Sequence, residues 1–477
     1  MEIELKLDLA EADPAALLGS GLLPGAPEVA ELRAVYFDTP DRALARAGLS
    51  LRIRRSPQGL VQTLKAAQGA AVGLFARAEW EQPATEERPV IAPGSPAEAL
   101  IGDHAAGLAP VFRVEVERRI WIVDWEGARA EVALDQGEII AADRRTPVRE
   151  LEIELREGAP DALFAWVRRV AEVVPVRLGV IAKSERGERL LLALPAAHKA
   201  EPVAVTREMT AAAAFRAIGL SCLRQFRLNE DLLRAGGAAE ALHQARVALR
   251  RLRSAFAIFR PAGARPDALR EDLRWLAGVL GEARDLDVLL TRAGPGPLQA
   301  PLAAARDAAY ARVAAALDSP RARGLLLDLT EWLVLGKALP KGGGAEPARD
   351  FARRALDRFR RRIVRGTAAL AGPDEAARHE LRKDAKKLRY ATEFLAPLFD
   401  GPQAARRQAR FARALEALQE RLGTLNDRAA APALLEALGL TEAPGAAELL
   451  RVGGTRRLIR AALAAQEDLT AAKRFWR

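Results

Sequence analysis

The sequence predicts an α+β multidomain protein in which a sheet-rich front half precedes an all-helical back half. Three observations carry that reading. Before about residue 195 the apolar residues recur with a period of two, from about Arg207 onward the period is helical, and the charge changes sign between the two parts. Residues 1–200 hold 25 Lys and Arg against 31 Asp and Glu, whereas the remainder holds 48 against 32. Such a split points to two domains with different partners, the second partner anionic. At 477 residues the chain exceeds one ordinary core, and a hydrophobic fraction of 50% supplies packed interiors. The expected domains are residues 1–195 and 207–477, joined by a linker at 196–206.

In the front half the segments 2–6, 51–54, 61–65 and 150–155 alternate charged or polar with apolar residues, as do 129–135 and, less cleanly, 77–81 and 112–122. Turns are expected at Asp38-Thr39-Pro40, Gly48 and Gly137, and helices near 13–19, 96–102 and 160–174. Residues two apart in a strand share a face. Glu2, Glu4 and Lys6 therefore point one way, as do Arg52 with Arg54 and Glu150 with Glu152 and Glu154. Acids gather on the first and last strands, and Arg and Lys fill those between. That segregation suits a closed barrel with carboxylates on one wall and cations on another. Burying so many charges requires a charged ligand and a metal to balance them. Carboxylates without clustered His or Cys suit Mg²⁺ or Mn²⁺ on phosphate oxygens, while Arg forks and Lys neutralise a polyanion. No P-loop occurs, so side chains must hold the phosphates.

The ordered set Glu2-x-Glu4-x-Lys6, Tyr36-Phe37-Asp38-Thr39, Leu51-Arg52-Ile53-Arg54, Thr63-Leu64-Lys65, Arg77-x-Glu79, Glu131-x-Ala133-Leu134-Asp135-x-Gly137, Glu150–Leu155 and Lys183 resembles the CYTH, or triphosphate tunnel, metalloenzymes. The resemblance covers roughly residues 1–195. It implies an antiparallel eight-stranded β tunnel barrel with flanking helices that binds a triphosphate. Carried over, Lys6, Arg52, Arg54, Lys65, Arg118 and Lys183 hold the phosphates, with Arg113 and Arg119 as alternatives to Arg118. Glu2 and Glu4 take the metal on the triphosphate. Glu79, Glu152 and Glu154 are the catalytic candidates, holding a second metal or the attacking water. For Asp135 a catalytic and a structural role both stand open.

The back half contains an internal repeat. His243-x-x-Arg246-x-x-x-Arg250-Arg251-x-Arg253 recurs as His379-x-x-Arg382-x-x-x-Lys386-Lys387-x-Arg389. Downstream of each block a Leu-Gly turn ending in acid is expected, at Leu280-Gly281 and at Leu422-Gly423. Helix breaks are expected at Gly236-Gly237, Pro261–Pro266, Gly294–Pro297, Gly342–Gly344 and Gly372-Pro373. Steps of 3, 4 and 3 place His243, Arg246, Arg250 and Arg253 on one helical stripe, and His379, Arg382, Lys386 and Arg389 on another. Arg246, Arg250 and Arg253 have no acid at the offsets that would make an ordinary solvated face, so the duplicated helices are expected to line one cationic groove.

This half resembles the CHAD family, the conserved histidine α-helical domain, over about residues 207–477. The resemblance implies an all-α duplicated helical bundle with pseudo-twofold symmetry that binds inorganic polyphosphate, with further contributions from Arg353, Arg354, Arg358, Arg360, Arg361 and Arg362. The two resemblances together imply metal-dependent hydrolysis of inorganic triphosphate to pyrophosphate and phosphate. The alternatives are an organic triphosphatase for nucleoside or thiamine triphosphates, with adenylyl cyclase a more remote outcome, and a non-catalytic polyphosphate-binding or targeting protein. Nucleic acid is disfavoured, since no base-reading module and little aromatic interleaving are visible. One cysteine, Cys222, excludes an intrachain disulfide, and neither a secretion signal nor an apolar run of membrane-spanning length is seen. A cytoplasmic location, with association to polyphosphate granules, is the expectation.

Overall fold

The computed structural model describes residues 4–66, 74–75, 78–91, 93–94, 96–192, 195–237, 239–264, 266–336, 339, 344–366, 370, 375–450 and 455–477. Its contacts divide the chain into two compact units, residues 1–196 with 326–335 and residues 197–325 with 336–477.

The first unit is built on strands β1 (Glu4–Asp8), β2 (Glu28–Asp38), β3 (Leu49–Ser56), β4 (Gly59–Ala66), β5 (Leu74–Phe75), β6 (Ala78–Ala84), β7 (Ala109–Trp125), β8 (Ala128–Ala141), β9 (Arg144–Glu157) and β10 (Arg177–Leu178). Neighbours run β10-β1-β9-β8-β7-β2-β3-β4-β6, and every pairing among the described strands is antiparallel. Among the described residues eight strands have five residues or more, the number expected, and the short β5 and β10 are extra. β5 pairs with β1, placing Phe75 opposite Glu4, while β6 just after it in sequence pairs with β4. The two ends of the sheet thus meet through one short segment, and the sheet curls into a tunnel.

Register decides what the tunnel contains. Glu4 stands opposite Glu154 and Glu154 opposite Glu131; Lys6 stands opposite Glu152; Glu150 stands opposite Asp135, which stands opposite Arg118. Tyr36 faces Arg52, Arg52 faces Thr63, and Lys65 faces Glu79. These directly opposed residues share the concave face. The residues between them, Leu5, Leu7, Val132, Leu134, Leu151 and Ile153, are fully buried on the other face, where α4 (Pro160–Val173) lies along β8 and β9 with Phe164, Val167 and Val170 inward. A second outer cluster joins Leu51, Ile53 and Leu64 to Leu44 of α2 (Ala43–Arg46) and Ile101 of α3 (Pro96–Ile101). The helices expected near 13–19, 96–102 and 160–174 are present, the first as α1 (Asp13–Leu18).

One end of the tunnel is filled by Ala34, Tyr36, Phe112, Val114, Val116, Ile139 and Val148, against which α5 (Lys183–Leu190) packs. Tyr36 and Phe112 stack at 4.6 Å between ring centroids. Gly187 of α5 meets Phe112 so closely that a Cβ there would lie 2.5 Å from Cζ and nearer still to Cε2 and Cδ2. Gly137 is not a turn. It sits inside β8, where a Cβ would come within 2.7 Å of the Val116 Cα, so glycine there permits the close approach of β8 to β7.

The second unit is helical: α6 (Ala211–Arg234), α7 (Ala239–Phe259), α8 (Arg270–Ala293), α9 (Gln299–Asp318), α10 (Pro320–Val334, whose end groups with the first unit), α11 (Ala348–Arg365), α12 (Glu375–Leu395), α13 (Pro402–Ala437), α14 (Ala446–Leu450) and α15 (Thr455–Ala471). The order α6–α7–α8–α9 is repeated by α11–α12–α13–α15, with α7 against α12 and α6 against α11, as a duplicated bundle requires. Phe215, Phe259 and Phe351 form its aromatic centre at centroid separations of 5.0 and 4.5 Å. The breaks at Gly236-Gly237, Pro261–Pro266 and Gly294–Pro297 fall between helices, whereas residues 342–343 and 372–373 lie outside the described residues. The two Leu-Gly steps are not turns. Gly281 lies within α8, where a Cβ would meet the Arg246 guanidinium at an ordinary 3.6 Å, and Gly423 lies within α13. Segment 197–205 is docked on α6: the Asn229 amide donates to the His198 carbonyl at 2.8 Å, and Glu201 pairs with Arg224 at 3.1 Å. Among the described residues no helix is long and apolar enough to cross a membrane.

Candidate active site and polyanion surface

The concave face of the first unit encloses a cavity of about 670 Å³. Its described lining includes seven cationic and seven carboxylate side chains, and most of them pair with one another. Lys6 bonds Glu4 at 2.8 Å and also Glu152. Lys183, the first residue of α5, reaches Glu150, Asp135 and Glu152 at 2.7, 2.8 and 2.9 Å. Arg118 forks onto the fully buried Asp135 at 2.7 and 2.6 Å and reaches Glu152 at 2.5 Å. Elsewhere on the lining Lys65 bonds Glu79 at 2.7 Å, and Arg156 bridges Glu154 and Glu131 at 2.7 and 2.6 Å.

These contacts set the protonation states. Burial raises the Glu152 carboxyl, but Lys183, Lys6 and Arg118 outweigh it and hold it well below the ordinary range. Burial would likewise raise Asp135, Glu150 and Glu79, and their cationic neighbours hold all three low. Glu4 is the exception: burial and the repulsion of Glu152 outweigh Lys6 and Lys183 and raise it. For Lys183 and Arg118, burial is overcome by the surrounding carboxylates, so both stay firmly charged. For Arg52, Tyr36 and then Glu79 overcome burial and keep the guanidinium charged, and its buried Nε has no hydrogen-bond partner among the described residues.

Of the residues expected on sequence grounds, Glu4, Lys6, Arg52, Arg54, Lys65, Glu79, Arg118, Glu152, Glu154 and Lys183 all line this one cavity. Glu2 and Arg77 lie outside the described residues. Arg113 and Arg119 fall on the opposite face from Arg118 and pair with Glu115 and Glu117, so Arg118 alone of the three points inward. Sequence reasoning named Glu131 only within its motif and did not select Glu28, Glu81 or Arg156, all of which also line the cavity. The two-residue spacing of Glu79 with Glu81 and of Glu154 with Arg156 was the available signal.

In the second unit α7 and α12 bring their stripes together. Arg250 donates to the Tyr390 hydroxyl at 2.8 Å, and the guanidinium carbons of Arg250 and Arg389 lie 6.0 and 5.7 Å from the Tyr390 ring centre. Arg246 finds an acid from another helix, Asp285, at 3.4 Å. Arg253 and His379 are exposed, while Arg382 and Lys386 are half-buried. Burial and the nearby Arg284 push His243 below its ordinary value, and burial with Arg274 and Arg270 pushes Arg253 down. Arg270, Arg274 and Arg284 of α8 therefore crowd the same surface, and of the three the sequence motif contains only Arg284. The α11 arginines are partly committed to the fold: Arg358 donates to the Ile258 carbonyl at 2.7 Å, Arg360 to that of Thr470, and Arg353 and Arg354 pair with Asp350 and Glu346.

Both halves match known domain families, CYTH over residues 1–186 and CHAD over residues 217–436. The chain carries a CYTH domain followed by a CHAD domain. The chain is 35% identical over 156 residues to an inorganic triphosphatase of Haemophilus influenzae, a match covering 32% of this chain and 44% of that protein. Among solved structures it resembles the CHAD domain of Ricinus communis (31% identity, 58% of this chain and 93% of that one, TM-score 0.47) and a protein of Pyrococcus horikoshii OT3 (17% identity, 40% and 99%, TM-score 0.27).

A CYTH domain raises the question of a divalent metal. Among the described residues no three carboxylate, His or Cys groups converge as a ready-made site. The donor chemistry nevertheless fits a hard cation: Glu4, Glu154 and Glu131 stand in register on adjacent strands, oxygen donors only, with Glu4 insufficiently compensated by cations.

Proposed function

We propose that the CYTH domain hydrolyses inorganic triphosphate to pyrophosphate and phosphate, and that the CHAD domain binds polyphosphate. The observation that carries the first part is the cavity itself, which gathers Lys6, Arg52, Arg54, Lys65, Arg118 and Lys183 around one enclosed space. Phosphoryl transfer asks mainly for positioning and charge neutralisation, which such a ring supplies. Arg52 offers a buried, unsatisfied donor, and Arg118 is held rigidly by Asp135 to present its outer edge. Glu4, with Glu2 and Glu154, would hold Mg²⁺ or Mn²⁺, and Glu79 and Glu152 would orient water. When bound, the metal supplies charge neutralisation and activation of the attacking water. The sole aromatic ring among the described lining residues, Tyr36, is stacked on Phe112, so no platform is free for a nucleobase.

One observation favours a second reading. Ala30, Leu32 and Ile120 form an apolar strip along the same cavity, a wall against which the organic part of a nucleoside or thiamine triphosphate would rest. Phosphate release from inorganic triphosphate with Mg²⁺ or Mn²⁺, in wild type and Glu4→Gln, with ATP as competitor, separates the readings. Metal-dependent release lost in the variant, with ATP poor, supports the proposal. Preference for an organic triphosphate transfers the role to the apolar strip, and no release from any triphosphate leaves a polyphosphate-binding protein.

The CHAD reading rests on the meeting of the two stripes at Tyr390, with His243, Arg246, Arg250, Arg253, His379, Arg382, Lys386 and Arg389 as the binding residues. We take residues 1–195 and 207–477 as the functional units of a cytoplasmic protein associated with polyphosphate granules. Polyphosphate pull-down and fluorescence localisation of the full chain and of a variant lacking residues 207–477 test this. Unchanged binding and position in the truncated variant would exclude it.

A further inference from the structure

Glu152 stands at the centre of the cation cluster. Lys6, Lys183 and Arg118, three of the residues proposed to grip phosphate, all direct a donor at its carboxylate. Each also has a second anchor that does not involve Glu152. Lys6 keeps Glu4 at 2.8 Å, Lys183 keeps Glu150 and Asp135 at 2.7 and 2.8 Å, and Arg118 keeps its two-point contact with Asp135. Asp135 and Glu150 are almost without exposure, whereas the Glu152 side chain retains 12% and faces the cavity. The cluster thus has an outer layer of fixed anchors and one inner carboxylate whose two oxygens occupy the focus of three cations.

We propose that Glu152 is the exchangeable counter-ion of the phosphate cradle: its carboxylate takes the position of a phosphate group in the empty cavity, and an incoming triphosphate must displace it from Lys6, Lys183 and Arg118. The inference rests on the triphosphate reading of the cavity and deepens it. Glu152 acts through the three cations, as a positioning residue that keeps them charged and convergent before substrate arrives. Because Asp135, Glu150 and Glu4 remain, removing the inner charge leaves the cations placed and one negative charge less to displace. A residue that served only to hold metal would leave metal-free binding unchanged, and a purely structural one would weaken it.

The test is calorimetric titration of inorganic triphosphate into the full chain in EDTA, comparing wild type, Glu152→Gln, Glu152→Asp and Asp135→Asn. Glu152→Gln is expected to bind metal-free triphosphate about tenfold more tightly, a difference of ~1.4 kcal/mol. Glu152→Asp, which withdraws the carboxylate by one methylene, is expected to tighten binding less, and it keeps the test open if the Gln variant fails to fold. Asp135→Asn, which removes a fixed anchor, is expected to weaken it. With Mg²⁺ present, KM should fall in Glu152→Gln and rise in Asp135→Asn. Unchanged or weaker metal-free binding in folded Glu152 variants overturns the inference while leaving the triphosphatase reading intact. Failure of wild type to bind triphosphate with or without Mg²⁺ removes that reading, and this inference with it.

Discussion

The contact between α5 and the tunnel floor makes Gly187→Ala the most informative single change. The added methyl carbon would sit 2.5 Å from the Phe112 Cζ and closer to two other ring atoms. Carbon atoms settle near 3.5–4.0 Å, so helix and ring must separate by about 1 Å or more. Neither has room: Phe112 is buried among Val114, Val116 and Ile139 and stacked on Tyr36. Overpacking of this kind costs about 1–3 kcal/mol. For a unit of this size each kcal/mol moves the melting temperature about 2–4 °C, so a fall of roughly 2–12 °C is expected. Function should suffer beyond stability, because α5 carries Lys183 at its start and the Phe112–Tyr36 stack backs Arg52. Misplacing catalytic groups by about 1 Å costs on the order of 10²-fold in rate. Thermal melting and kcat/KM for inorganic triphosphate read the two effects. Gly423→Ala is the control: nothing lies within 4 Å of its Cβ, so within α13 it should stabilise by up to about 1 kcal/mol. A Gly187→Ala variant with native melting temperature and native kcat/KM would refute the argument.

Asp135→Asn takes from Arg118 its two-point partner and from Lys183 one of three carboxylates, and because Glu152 and Glu150 remain, urea unfolding should show a loss of about 1–3 kcal/mol. Acid should act on the same cluster. Asp135, Glu150 and Glu152 have folded pKa values below their unfolded values of 3.8 and 4.5. Their stabilisation is therefore complete above about pH 4.5 and is lost as the pH falls through the lower folded values, which denaturant midpoints between pH 6 and pH 2 would follow. In the CHAD domain a bound polyanion should restore the proton that burial and Arg284 drive off His243, so polyphosphate should bind more tightly as pH falls from about 7 to 5.5, and a flat profile would remove His243 from the surface. Arg274→Ala should weaken polyphosphate binding and flatten its dependence on log salt by about one unit, read by fluorescence titration at several ionic strengths.

The sequence made the sheet legible where each strand carries one charged and one apolar face, as at Glu150–Leu155 and Leu51–Arg54. It hid β2, because both faces of that strand mix charge with apolar residues: Glu28, Ala30, Leu32 and Tyr36 point inward, while Val29, Glu31 and Arg33 point out. Helix α5 was equally silent. Its sequence Lys-Ser-Glu-Arg-Gly-Glu-Arg-Leu has no apolar stripe, since it docks through a bare glycine and ion pairs, Arg42 with Glu188 and Arg186 with Glu150. Spacing identified which side chains share the cavity, yet not whom they bond. That Asp135 is an anchor for Arg118, or that three cations meet on Glu152, depends on register between strands far apart in sequence. The same limit misread Gly137, Gly281 and Gly423 as turns. A glycine set inside a strand or helix looks, in one dimension, like one that bends the chain.

The equal numbers of cations and carboxylates described around the cavity bear on which anions could stay there. An empty cavity that has already neutralised itself offers little to chloride or orthophosphate, because a small anion would break several ion pairs and replace few. Only an anion long enough to reach Lys65 as well as Lys6, Arg118 and Lys183 makes up for all the pairs it opens. The self-pairing then works as a length gauge. On the proposed function it also works as an ejector: once the chain is cut, neither fragment spans the cavity, the carboxylates close back onto their cations, and the products leave.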